Sequence, residues 1–111
     1  MRTATGLRAW VVQRVSAIYL AIFLVYAVAA LLLAPPVGYA EWRAWLGAPA
    51  MGVATLLFFV ALLLHVWVGL RDILIDYVPL TALRVTLLSA VGFGLVACGL
   101  WAAQILFMAR L

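Results

Sequence analysis

The sequence predicts an all-α membrane protein built from three transmembrane helices. The 111-residue chain is 71% hydrophobic and only 9% charged, whereas soluble domains carry roughly 25% charged residues. Its apolar residues are gathered into long blocks rather than scattered. Its seven cations, all arginine, sit at the ends of those blocks, where they report topology.

The first span covers about residues 15–33 and stops before Ala34-Pro35-Pro36, because proline ends a helix and disfavours helical angles in the residue before it. A basic stretch precedes this run, as in a signal peptide. The run is longer than a signal-peptide core, and no small-x-small cleavage site follows it. It is therefore read as a retained span. Residues 35–50 mix Tyr39, Glu41, Trp42, Arg43 and Trp45, which suits a short segment in the membrane interface. The second span covers about residues 51–70 and the third about 85–108. Each has 19 to 24 residues, enough to cross ~30 Å of hydrocarbon at 1.5 Å per residue. Backbone polar groups in lipid must be satisfied internally, so the spans are helices. No long linker, repeat or low-complexity tract interrupts the chain, and residues 1–111 form one membrane unit.

Arginine counting orients it. With three spans, the N-terminal tail and the connection at residues 71–84 share one side. That side carries five arginines (2, 8, 14, 71 and 84), and the other carries two, Arg43 and Arg110. The positive-inside rule places the N-terminus inside and the C-terminus outside. The arginines do not cluster with exposed aromatics on a polar fold, so the basic balance does not indicate nucleic acid. The single cysteine, Cys98, lies in an apolar run and reads as a packing residue.

The chemistry concentrates in LHVWVGLRDILIDYVP, residues 64–79. His65 is the only histidine and lies six residues before Arg71, about 9 Å below the inner boundary. An ionisable group at that depth is costly and marks a candidate functional site. Two readings stand together. His65 is a neutral histidine hydrogen-bonded across a helix interface, or it is an iron ligand whose second ring nitrogen needs an acceptor to fix its tautomer. His65, Gly69, Asp72 and Asp76 fall on one helical face. The glycine gap admits either a flat macrocycle or another helix. A six-coordinate heme here would need a second ligand from outside, because no other histidine exists and Met51 is distant. Tyr77 reads as an interfacial anchor or as a hydrogen-bond donor to a lipid-soluble quinone. Asp72 and Asp76 read as solvated acids paired with Arg71 and Arg84, or, for Asp76, as support for such a quinone site.

The segment HVWVGLRDILIDYVPLTALR, residues 65–84, resembles the hydrophobic membrane anchor subunit of bacterial succinate dehydrogenase (the SdhD family). The resemblance rests on His65, Trp67, Gly69, Asp76, Tyr77, Ala82, Leu83 and Arg84, with QRVSAIYL at residues 13–20 as an arginine-led start to the first helix. It extends loosely over the whole chain and implies a membrane anchor subunit of succinate:quinone oxidoreductase, respiratory complex II. The implied role of His65 is an axial ligand to the iron of heme b, held in a helical bundle with a companion, cytochrome b556-type anchor. Tyr77 would hydrogen-bond ubiquinone, Asp76 would support that site, and Arg14 would pair with a heme propionate. FAD and iron–sulfur clusters would lie in partner flavoprotein and iron–sulfur subunits, in a bacterial inner membrane. The resemblance implies no catalysis by the isolated chain and gives Arg71 and Asp72 no role. Two other readings remain: a cofactor-free structural or assembly protein, and a small transporter with a proton relay. The acids lie beyond the apolar spans, which disfavours the transporter.

Overall fold

The computed structural model describes residues 2–111, with side chains from residue 6 onward; the side chain of Arg2, counted above, lies outside the described set. Four helices follow in order: α1 Arg2–Leu33, α2 Gly38–Gly47, α3 Pro49–Tyr77 and α4 Thr81–Arg110. There is no strand among the described residues. Three of the helices carry stretches long and apolar enough to cross a membrane: Gly6–Leu33, Pro49–Tyr77 and Thr81–Arg110. The chain is a multi-pass membrane protein of the all-α class.

The helices outrun the spans read from hydropathy. A stretch of 28 to 30 residues rises about 42–45 Å, against ~30 Å of hydrocarbon. The helix ends therefore project into the headgroup layers, and the molecule measures 50 Å along its long axis. Hydropathy marks where water stops, whereas the hydrogen-bond ladder continues until the backbone is forced out of it.

Proline and glycine set the breaks. At the end of α1, Ala34 N–H still donates to Ala30 O at 2.9 Å, and the proline pair then blocks propagation. Gly38 turns the chain with φ of 79°, a left-handed conformation that glycine adopts without steric cost. The Glu41 carboxylate reaches back to accept from Val37 N–H at 2.9 Å, satisfying a donor that a helix start leaves open. The interfacial segment is thus a ten-residue helix with Trp42 and Trp45 edge-to-face at 5.9 Å. Pro49 opens α3, where its missing N–H is no loss.

The connection expected over residues 71–84 contracts to three residues, Val78 to Leu80. Val78, forced extended before Pro79, still donates to Leu74 O at 3.0 Å. Proline disrupts the ladder only at itself and its predecessor, so α3 carries Asp72, Asp76 and Tyr77 as helical residues rather than loop residues.

Helix α3 stands in the middle, packing on α1 along one side and on α4 along the other; α1 and α4 do not touch among the described residues. The α1–α3 seam is aromatic at its centre, with Phe23 stacked on Phe58 at 4.7 Å and Tyr19 Oη donating to Ala54 O at 2.7 Å. The α3–α4 seam uses small residues. The Trp67 ring lies over Gly92, Leu63 lies over Gly99, and Gly94 faces open space. The C-terminal end of α2 rests on that of α4, where a Cβ at Gly47 would collide with the Ala109 backbone. Few side chains are buried: Leu20, Phe23, Met51, Ala61, Val68 and Leu106, with the polar Ser16 and Thr55. Thr55 is satisfied within its own helix by Met51 O at 2.7 Å.

This packing predicts opposite outcomes for two glycine substitutions. Gly47→Ala forces the α2–α4 contact apart and is expected to cost about 1–3 kcal/mol, read as a lower thermal midpoint in detergent. Gly94→Ala meets nothing and removes a helix-weakening glycine, so its midpoint is expected to stay level or rise.

Candidate functional site

The geometry gathers around His65, at mid-seam between α1 and α3. Its Nδ1 lies 3.1 Å from Ser16 Oγ, and its Nε2 lies 3.4 Å from the amide nitrogen Nε2 of Gln13. Ser16 is 6% exposed, and its hydroxyl also donates to Gln13 O at 3.1 Å, one helical turn back. The ring is therefore clasped from α1 at both nitrogens. Gln13 is only half satisfied, because its Oε1 is buried without a partner. The same side chain covers the glycine gap: its amide nitrogen comes within 3.9 Å of where a Cβ on Gly69 would lie. Gly69 thus leaves room beside the imidazole, and Gln13 lies across that room.

Gln13 and Ser16 were not singled out from the sequence, although they lie within the QRVSAIYL segment. A signal was present. Gln13, Ser16 and Tyr19 recur at three-residue steps, with Arg14 the one other polar side chain between them, and polar groups on one stripe of a span mark its protein-facing side.

Further along α3 the residues open outward. Tyr77 is 78% exposed at the helix end, and Asp76 beside it is exposed and makes no ion pair among the described residues. The one ion pair among them joins neighbours Arg71 and Asp72, with Nη2 to Oδ1 at 3.5 Å. Exposure of both groups makes it a weak contact. Arg71 also has a buried Nε without a partner. Arg84 makes no ion pair with either acid among the described residues. Arg14 is exposed and lies over the Trp10 ring at 5.4 Å from the centroid. It sits next to Gln13 in the chain, but a helix turns successive residues by about 100°, and Arg14 leaves the seam. From His65 to Tyr77 is twelve residues, about 18 Å along the helix axis.

Among the described residues, no group of three or more His, Cys, Asp or Glu side chains converges to hold a metal ion. The donor set is one imidazole in an apolar span. That set fits a macrocycle-bound iron, which brings four ligands of its own and asks the protein for one or two axial donors. The fit is supported by the room beside Gly69 and by the unsatisfied Gln13 amide. One flexible side chain, Gln13, lies 3.4 Å from that side of the ring.

Comparison with known proteins covers nearly the whole chain. Residues 1–101 match the family described as succinate dehydrogenase/fumarate reductase transmembrane subunit. The chain is 34% identical over 105 residues to the succinate dehydrogenase hydrophobic membrane anchor subunit of Coxiella burnetii (strain RSA 493 / Nine Mile phase I), covering 95% of this chain and 91% of that protein. A match over nearly the full length, on a three-span fold that places an intramembrane histidine at a helix seam, leads to one conclusion: the chain belongs to the succinate dehydrogenase/fumarate reductase transmembrane subunit family.

Proposed function

We propose that this chain anchors a succinate:quinone oxidoreductase to a bacterial inner membrane, contributes one axial ligand to heme b, and forms part of a ubiquinone site. The observation that carries the reading is His65, an imidazole inside a span with both nitrogens addressed by polar side chains of α1. Burying such a group is costly unless it is used.

When bound, heme b supplies a one-electron relay. The chain's own part is to hold a neutral imidazole in an apolar wall. A second axial ligand comes from a companion anchor, since His65 is the only histidine here. Partner flavoprotein and iron–sulfur subunits, carrying FAD and iron–sulfur clusters, dock on the side that bears the N-terminus and the α3–α4 turn. Five of the seven arginines are on that side, which is the inner one by the positive-inside rule. Tyr77, exposed at the α3 terminus, donates its phenolic hydrogen to a quinone carbonyl arriving from the bilayer. Asp76, adjacent and without an ion pair among the described residues, supports that site near water, where quinone reduction takes up protons. Arg14 makes no ion pair among the described residues and reaches a propionate only by leaving the Trp10 ring.

A second reading keeps the same fold without a cofactor. The two hydrogen bonds at His65 are also what a purely structural histidine would make. Spectroscopy separates them. In the purified complex, His65→Ala is expected to abolish or alter the low-spin b-type absorption; an unchanged spectrum and heme content would sink the ligand assignment. Tyr77→Phe is expected to lower quinone-dependent turnover about five- to tenfold, the worth of one substrate hydrogen bond. Succinate oxidation by a water-soluble dye that bypasses the quinone should stay unchanged.

A further inference from the structure

We infer that Ser16 is the positioning residue for His65: it fixes the imidazole as the Nδ1–H tautomer and so reserves the Nε2 lone pair for coordination, with the Gln13 amide covering that lone pair until iron takes it. The inference rests on His65 being a heme ligand.

Proton accounting carries it. Ser16 has one hydroxyl hydrogen; Gln13 O, which can only accept, lies 3.1 Å from Oγ, and we assign the hydrogen to that bond. At 3.1 Å from His65 Nδ1, Ser16 Oγ is therefore an acceptor, and Nδ1 must carry the hydrogen. A neutral imidazole has one N–H, so Nε2 bears the lone pair. The other contact fits the same tautomer. The group facing Nε2 at 3.4 Å is the Gln13 amide nitrogen, which only donates. The opposite tautomer would set Nε2–H against that N–H₂, donor against donor. Both contacts thus select one proton position.

The two partners differ in firmness. Ser16 is buried at 6% exposure, and its short side chain is tied to its own helix backbone. It cannot move away without α1. Gln13 is longer and contacts Nε2 at the far end of hydrogen-bond range, and its Oε1 is buried without a partner. Releasing Nε2 costs Gln13 one poor bond. The anchor is rigid on the nitrogen that must stay fixed and loose on the nitrogen that must be freed. Hydrogen bonding at the non-ligating nitrogen orients a ligand ring and raises its basicity, and losing it weakens metal binding about 10–100-fold.

The test uses the chain's single histidine. With ¹⁵N-histidine label, the full-length heme-free chain in nanodiscs is expected to show one imidazole with Nδ1 protonated and Nε2 bare; Ser16→Ala should populate the Nε2–H form. In the assembled complex, Ser16→Ala is expected to keep the heme but bind it at least tenfold more weakly. Its midpoint potential should rise, because a less electron-rich ligand favours ferric iron less. Ser16→Thr, which keeps the hydroxyl, should restore both. Finding Nε2–H in the wild-type chain, with the Gln13 amide turned to accept from it, overturns the inference, and this measurement decides even if Ser16→Ala fails to assemble. Unchanged affinity and potential in Ser16→Ala, where His65→Ala strips the heme, overturn the role of Ser16 alone. Heme retained unaltered in His65→Ala overturns the ligand reading beneath it.

Discussion

The structure depends on one constraint: in hydrocarbon a polar group has no water to fall back on. The backbone answers it with three long helices, interrupted near Pro35-Pro36, at Ala48-Pro49 and near Pro79. The side chains answer it by sparing use. Thr55 and Ser16 bond to carbonyls of their own helices, and Tyr19 reaches a carbonyl across the seam. His65 is the costly exception, and α1 supplies both of its partners. The α1–α3 seam is thereby a polar register mark inside an apolar contact. Slipping α1 by one turn would take both α1 partners from the imidazole, and an unsatisfied buried polar group costs about 1–3 kcal/mol.

The small number of buried residues follows from the same solvent. A soluble chain with this much exposed apolar surface would aggregate. Here the exposed Ile18, Ile22, Val25, Phe93, Trp101 and Phe107 face an environment as apolar as themselves. Helix association then relies on close packing more than on expulsion of water, which is why Gly92, Gly99 and Gly47 sit at contacts while Gly94 does not. Membership of a family named for transmembrane subunits fits a chain whose three-helix arrangement leaves α1 and α4 apart, each with its outer side uncovered.

Much of the candidate site was legible in the sequence because scarcity makes it so. One histidine, three acids and seven arginines in a greasy chain leave few positions to weigh, and helical spacing puts His65 and Gly69 on one side. The structure agrees to the extent that both face Gln13. The spacing also extended that stripe to Asp72 and Asp76, yet these end exposed. Positions i+7 and i+11 stay within about 20° of His65 around the helix, but α3 runs past the end of α1's polar stripe. Arg14 draws attention by its charge, but the contacts to His65 come from the uncharged Gln13 and Ser16.

By itself the sequence determined the class, the number of spans and the residue on which the site centres. These depend on hydropathy, proline positions and composition, all of which are local along the chain. Tertiary structure alone decided which groups meet His65, where Arg14 turns, and how far the helices extend beyond the hydrocarbon. Those outcomes depend on the rotation and axial register of α1 against α3. That register is set by contacts about fifty residues apart in sequence, such as Ser16 with His65, and no local pattern encodes it.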